Sequence, residues 1–91
     1  MIYLFSKEAC GPCILVKKLM DKMNDPRIDA IEVIGLDEGC SQETLDFAKS
    51  YQVTATPVMV VTDETGKKQE EYVGGVEIAG ALTKGVLNHV G

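Results

Sequence analysis

The chain has 91 residues, room for one domain spanning 1–91. A chain this short buries only about 60–65% of its unfolded surface, so its core is modest. Hydrophobic residues make up 45% and charged residues 25%, ordinary globular usage that argues against disorder. The net charge of −5 and the presence of only short basic pairs, Lys17-Lys18 and Lys67-Lys68, exclude a nucleic-acid binder. No apolar run approaches the roughly 18 residues that span a bilayer, so no membrane partner is expected. Met1–Phe5 is apolar but has neither the basic start nor the long apolar stretch of a secretory leader. The 3 cysteines are odd in number and too few for a secreted disulfide scaffold, which points to a reducing, cytoplasmic setting.

In chain order, Ile2–Phe5 reads as a short buried strand. After Cys10-Gly11-Pro12-Cys13, the residues Val16, Leu19, Met20 and Met23 recur at helical spacing, with Lys17, Lys18, Asp21 and Lys22 opposite. Pro12 fits the first turn of that helix, and Asn24-Asp25-Pro26 stops it. Ile31, Val33 and Ile34 predict a second strand, and Gly35–Gly39 a loop. Ser41 is placed to cap a second helix, with Glu43 near its positive end and Leu45, Ala48 and Tyr51 on its apolar side. Pro57–Val61 is a continuous apolar run, as in a strand buried on both faces. Asp63–Gly66 predicts a turn and Gln69–Val73 an alternating edge strand. Gly74 and Gly75 lead to a last helix with Ile78, Leu82, Val86 and Val90 inward, weakened by Gly80 and Gly85. The order is β-α-β-α-β-β-α. The first two strands should be parallel with a right-handed crossover, the last two antiparallel.

The chemistry concentrates at Cys10 and Cys13, where a strand hands over to a helix. A thiolate, not a thiol, is the nucleophile. A helix N-terminus offers unpaired N–H groups and a positive dipole end, worth up to about 2 kcal/mol to an anion there. That favours Cys10 as an exposed attacking thiolate, with Cys13, inside the helix, resolving the mixed disulfide. Gly11 and Pro12 form the loop between them, and Pro12 stiffens it. A purely structural disulfide is the first competing reading, but so small a loop restrains the unfolded chain by only about 2 kcal/mol. Half of a zinc site is the second, but zinc wants four ligands. Beyond carboxylates only Cys40 and His89 remain, so no metal is expected. C-x-x-C before a helix in a β-α-β pattern is a redox signature. Cys40 reads as a small half-buried residue, His89 as a helix-end cation, and Met20, Met23 and Met59 as core.

Cys10-Gly11-Pro12-Cys13 is identical to the active-site tetrad of the thioredoxin superfamily, which the chain resembles over nearly its whole length. Thr54-Ala55-Thr56-Pro57 before the buried strand supports the resemblance. It implies a cis peptide before Pro57, opposite the cysteines, and a backbone at Thr56 that pairs with substrate. It also implies a minimal thioredoxin fold, a four-stranded mixed sheet with helices on both sides. There are departures. The chain starts directly at the active-site strand, Ala9 stands where thioredoxins have tryptophan, and Leu4 stands where they have a buried aspartate that helps move the resolving thiol's proton.

Phe5-Ser6-Lys7-Glu8-Ala9-Cys10 is similar to the start of glutaredoxins, whose lysine helps bind glutathione. Lys7 could do so, favour the Cys10 thiolate, or be simply solvated. Gly74-Gly75 is similar to the glycine pair before the last glutaredoxin helix, although the acid that follows is displaced to Glu77 and a plain turn explains the pair as well. The whole is similar to small glutaredoxin-like thioredoxins. The expectation is a thiol–disulfide oxidoreductase with no bound cofactor. Its Cys10–Cys13 disulfide would be reduced by thioredoxin reductase with NADPH or by glutathione. Its partners would be that reductase and disulfide-containing clients, of which ribonucleotide reductase is one the resemblance implies. The chain should be a monomer. Two alternatives are a glutathione-dependent, glutaredoxin-type enzyme and a non-catalytic binding module.

Overall fold

The computed structural model describes residues 1–89. Its strands are β1 (Ile2–Ser6), β2 (Ile31–Gly35), β3 (Val58–Thr62) and β4 (Lys68–Val73), and its α-helices are α1 (Gly11–Lys22), α2 (Gln42–Ser50) and α3 (Gly75–Lys84). Two 3-10 segments, Pro26–Ala30 and Val86–His89, are added. The four strands lie in the order β2-β1-β3-β4. β1 and β2 are parallel, and β1/β3 and β3/β4 antiparallel. This is the four-stranded mixed sheet with three helices that the sequence implied.

The two inner strands carry the core, because their alternate side chains enter two layers. Ile2 and Leu4 of β1 and Met59 and Val61 of β3 meet Val16 and Met20 of α1 and Ile78, Ala81 and Leu82 of α3. On the opposite face Phe5, Val58 and Val60 meet Ala48 of α2. Every residue of β3 is buried, which is why its sequence does not alternate. β4, at the edge, does alternate. In the turn between them the Asp63 carboxylate accepts the N–H groups of Thr65 and Lys67 and the Thr65 hydroxyl. Those bonds, the Thr65 hydroxyl first, hold its pKa below the ordinary aspartate value.

Two expectations need correction. Leu45 is exposed at 37%, and the apolar side of α2 is instead Phe47, Ala48 and Tyr51. Phe47 and Tyr51 pack edge to face, with ring centres 5.3 Å apart, and Tyr3 meets Phe47 at 5.0 Å. Such rings bury more apolar area than one leucine, so they claim the inward side. α1 does stop before Asn24-Asp25-Pro26, ending at Lys22, and Asp25 then caps an additional 3-10 segment by accepting the Arg27 N–H at 2.9 Å. Last, the final helix does not run on through residue 86. It stops at Gly85, whose φ of +111° is left-handed and whose N–H bonds the Ala81 carbonyl. Val86 and Leu87 are still buried, but in a separate 3-10 turn. The expected inward Val90 lies outside the described residues.

The two glycines of this region therefore have opposite roles. Gly85→Ala is expected to lower stability by about 1–2 kcal/mol, the cost of a left-handed L-residue. Gly80→Ala, in open space within α3, should raise it by about 0.5–1 kcal/mol. Urea unfolding of the two variants measures both signs.

Candidate active site

β1 points the chain at the N-terminus of α1. After Ser6, three exposed residues lead to Cys10, which is the N-cap of that helix. Its backbone is extended (φ −129°, ψ 113°), as a cap requires, and its carbonyl accepts the Ile14 N–H at 3.0 Å. Its Sγ accepts the Cys13 N–H at 3.3 Å. A sulfur thus occupies the place usual for a serine or aspartate oxygen. Pro12 lies in the first turn, where a missing N–H breaks no helical bond. Cys10 and Cys13 are joined as a disulfide with Cα atoms 5.2 Å apart. Cys10 is half-buried, while Cys13 is fully buried under the helix.

Two further segments close on this pair. The Thr56–Pro57 peptide is cis, as the resemblance implied, and Pro57 is fully buried. The carbonyl oxygen and the hydroxyl of Thr56 each lie 3.8 Å from the Cys10 Sγ. The Pro57 carbonyl accepts the Gly74 N–H at 2.9 Å, tying the start of α3 to the same corner. Gly74 has a φ of +90°, which favours glycine. A Cβ on Gly75 would stand 3.3 Å from the Pro12 Cβ and 3.4 Å from its carbonyl oxygen. Gly75 is therefore what allows α3 to approach the cysteine loop. Glu77 turns back, its carboxylate accepting the Val73 N–H at 3.2 Å.

Of the residues singled out in the sequence, Cys10, Gly11, Pro12, Cys13, Thr56, Pro57, Gly74 and Gly75 converge here. Lys7 is exposed and lines a shallow recess of about 150 Å³ with Thr54, Ala55 and Thr56, on the flank of the site. His89 sits elsewhere, 3.0 Å from the Glu70 carboxylate beside α3. Cys40 is a free, half-buried thiol. Among the described residues, no three His, Cys, Asp or Glu side chains gather as metal ligands would.

Two features escaped the sequence reading. An apolar groove of about 320 Å³ runs from Pro12 between α1 and α3, lined by Leu15, Leu19, Val76 and Ala79. Leu15 is 66% and Val76 90% exposed. The second is a buried hydroxyl, that of Ser6, with no hydrogen-bond partner among the described residues. A serine at an inward strand position was the available signal. Leaving it unpaired costs about 1–3 kcal/mol.

Residues 1–85 match the family model of the thioredoxin-like domain, and the chain belongs to that family. No curated protein matches it. Among solved structures it is similar to the oxidised mitochondrial thioredoxin 3 of Saccharomyces cerevisiae, at 27% identity and a TM-score of 0.64, over 96% of this chain and 76% of that one. The thioredoxin of Fasciola hepatica is similar at 25% identity and a TM-score of 0.64, over 97% and 78% of the two chains. The thioredoxin of Malassezia sympodialis shares the fold at 21% identity and a TM-score of 0.67, over 99% and 74%. A thioredoxin fold carrying this bonded cysteine pair defines the class, thiol–disulfide oxidoreductases.

Close approach of Gly75 to Pro12 carries a prediction. Gly75→Val must push the loop and α3 apart, costing about 1–3 kcal/mol of stability. The rate of disulfide reduction should fall with it, while Gly80→Ala leaves that rate unchanged. Insulin reduction by the two variants, beside their unfolding curves, tests this.

Proposed function

We propose that the protein is a thioredoxin-type reductant of protein disulfides, with Cys10 attacking and Cys13 resolving. The observation that carries this reading is the Cys10 sulfur itself, half-exposed and capping α1 while Cys13 is buried behind it. In the reduced protein the same N–H, the helix dipole and the Thr56 hydroxyl favour a thiolate at Cys10. That thiolate attacks a client disulfide, forming one mixed disulfide bond and releasing one client thiolate. Cys13, deprotonated, attacks the Cys10 sulfur. The Cys10–Cys13 bond forms, the bond to the client breaks, and its electron pair leaves on the second client thiolate. Two electrons pass from the dithiol to the client.

Clients would align their backbone along Thr56, beside the sulfur, and seat apolar side chains on Gly11, Pro12, Pro57, Gly74 and Gly75. The exposed apolar groove beside Pro12 supports a protein client over a small polar thiol. Glu77 supports the same choice, because its carboxylate is engaged by the Val73 N–H at the end of β4, just before its own helix. The electron donor would be a thioredoxin reductase with NADPH, the client class would include ribonucleotide reductase, and the protein would act as a cytoplasmic monomer. The glutaredoxin-type reading keeps one supporting observation, Lys7 beside Thr54–Thr56.

Cys10→Ser is expected to drop disulfide reduction to the uncatalysed background, whereas a binding module would retain its partner. Cys13→Ser should accumulate client mixed disulfides on Cys10. Turnover of the parent protein with NADPH and thioredoxin reductase should greatly exceed turnover with glutathione and glutathione reductase. The reverse order would overturn the thioredoxin-type assignment in favour of a glutathione site.

A further inference from the structure

Two hollows flank α3, one on each side of Val76, and they differ in charge. The hollow on the β4 side is lined by Glu70, Glu77, Lys84 and His89, among others. The groove on the α1 side, about 320 Å³, is lined by uncharged side chains, among them Pro12, Leu15, Leu19, Val76 and Ala79. α1 and α3 both start at the cysteine corner, where Gly75 lies against Pro12, and the groove runs from there between them. Its lips, Leu15 and Val76, are mostly exposed, so apolar surface faces water in the free protein.

The charge on its rim has one sign. Lys18 and Lys22 follow Leu15 at i+3 and i+7, so they share its side of α1. Both are exposed, and neither joins an ion pair among the described residues. Lys17, two positions after Leu15, falls on the opposite side of the helix. Asp21 lines a separate hollow at the end of α1, with Asp25 and Asp29. On α3 the groove side carries Ala79 and, one turn on, Thr83, both neutral, while Glu77 and Lys84 face the other hollow. A chain of net charge −5 thus places a positive rim on its apolar groove.

We propose that this groove holds the stretch of client polypeptide flanking the attacked cysteine, with one large apolar side chain between Leu15 and Val76 and an acidic residue beyond it at Lys18 and Lys22. This rests on the thioredoxin-type reading above and narrows its clients to a sequence class. Continuity with Pro12 sets the spacing. α1 advances about 1.5 Å per residue, which puts Leu15 about 4.5 Å, Lys18 about 9 Å and Lys22 about 15 Å past Pro12. An extended client covers about 3.3 Å per residue. The apolar residue therefore falls about two or three positions from the client cysteine, and the acid about four to six. Burial of the apolar side chain drives docking. The acid adds selectivity, because the net negative charge of the protein disfavours a client whose acids land elsewhere.

The test uses the reduced full-length protein, Cys40→Ser in every case, and short peptides whose single cysteine is joined by a disulfide to a coloured aromatic thiol. The first peptide carries leucine three positions and glutamate five positions after the cysteine. The second has alanine for the leucine, and the third lysine for the glutamate. A mirrored set places the same residues before the cysteine. Stopped-flow release of the thiol gives each second-order rate, divided by the rate of the same peptide with a small dithiol. In one set the leucine–glutamate peptide should react about tenfold faster than the alanine peptide and about fivefold faster than the lysine peptide. Salt at 1 M, where the Debye length is about 3 Å, should abolish the charge preference and keep the apolar one. Lys18→Glu with Lys22→Glu should make the lysine peptide the faster. Val76→Ser should reduce the apolar preference from the α3 side. All three side chains are exposed, so these variants should melt with the parent. Equal rates within both sets, or a charge preference that survives reversal of both lysines, overturns this inference and leaves the thioredoxin-type reading standing. Faster reduction of glutathione disulfide than of any peptide overturns both together.

Discussion

The structure depends on a single cap. A helix needs acceptors for its first N–H groups, and here the Cys10 sulfur supplies one. The reactive atom is thereby fixed by the same bond that starts α1. Everything placing that sulfur follows from the need to hold the first turn of α1 at the end of β1. Pro12 rigidifies the turn without forfeiting a helical bond. Pro57 closes it from the next strand, and the Gly74 N–H bonded to the Pro57 carbonyl fixes the last helix to the same corner.

The sheet makes that corner rigid. β1 and β3 lie adjacent in its middle, with apolar layers on both faces. The ends of these two strands deliver Cys10 and Pro57. Small residues then decide what may approach. Gly75 lets α3 close on Pro12, and Gly35 makes room for Asp37. Burial distinguishes the two sulfurs, leaving that of Cys10 half-exposed and that of Cys13 fully buried.

Much of this was legible in the sequence because it is encoded locally. Apolar spacing marks α1, the unbroken apolar run marks β3, and the cysteine tetrad marks the helix start. Strand order is not local, and no pattern in the chain reads it. Leu45 and Phe47 show a second limit. Both are apolar, and which faces inward is decided by the aromatic side chains of Tyr3 and Tyr51 waiting across the interface. Gly85 shows a third, since only the backbone φ in the folded chain separates a glycine within a helix from one that ends it. Thr56, Pro57, Gly74 and Gly75 came from family resemblance, and their contacts give that resemblance a physical meaning.

The central claim is that the cap of α1 makes Cys10 a thiolate. Its most direct test is an ultraviolet titration of thiolate in the Cys13→Ser, Cys40→Ser protein, where Cys10 is the one remaining thiol and the residue 13 N–H is retained. The account predicts that Cys10 ionises at clearly lower pH than an ordinary cysteine thiol. Unfolding in denaturant should bring it back to the ordinary range. A Cys10 that titrates alike in the folded and unfolded protein would contradict it.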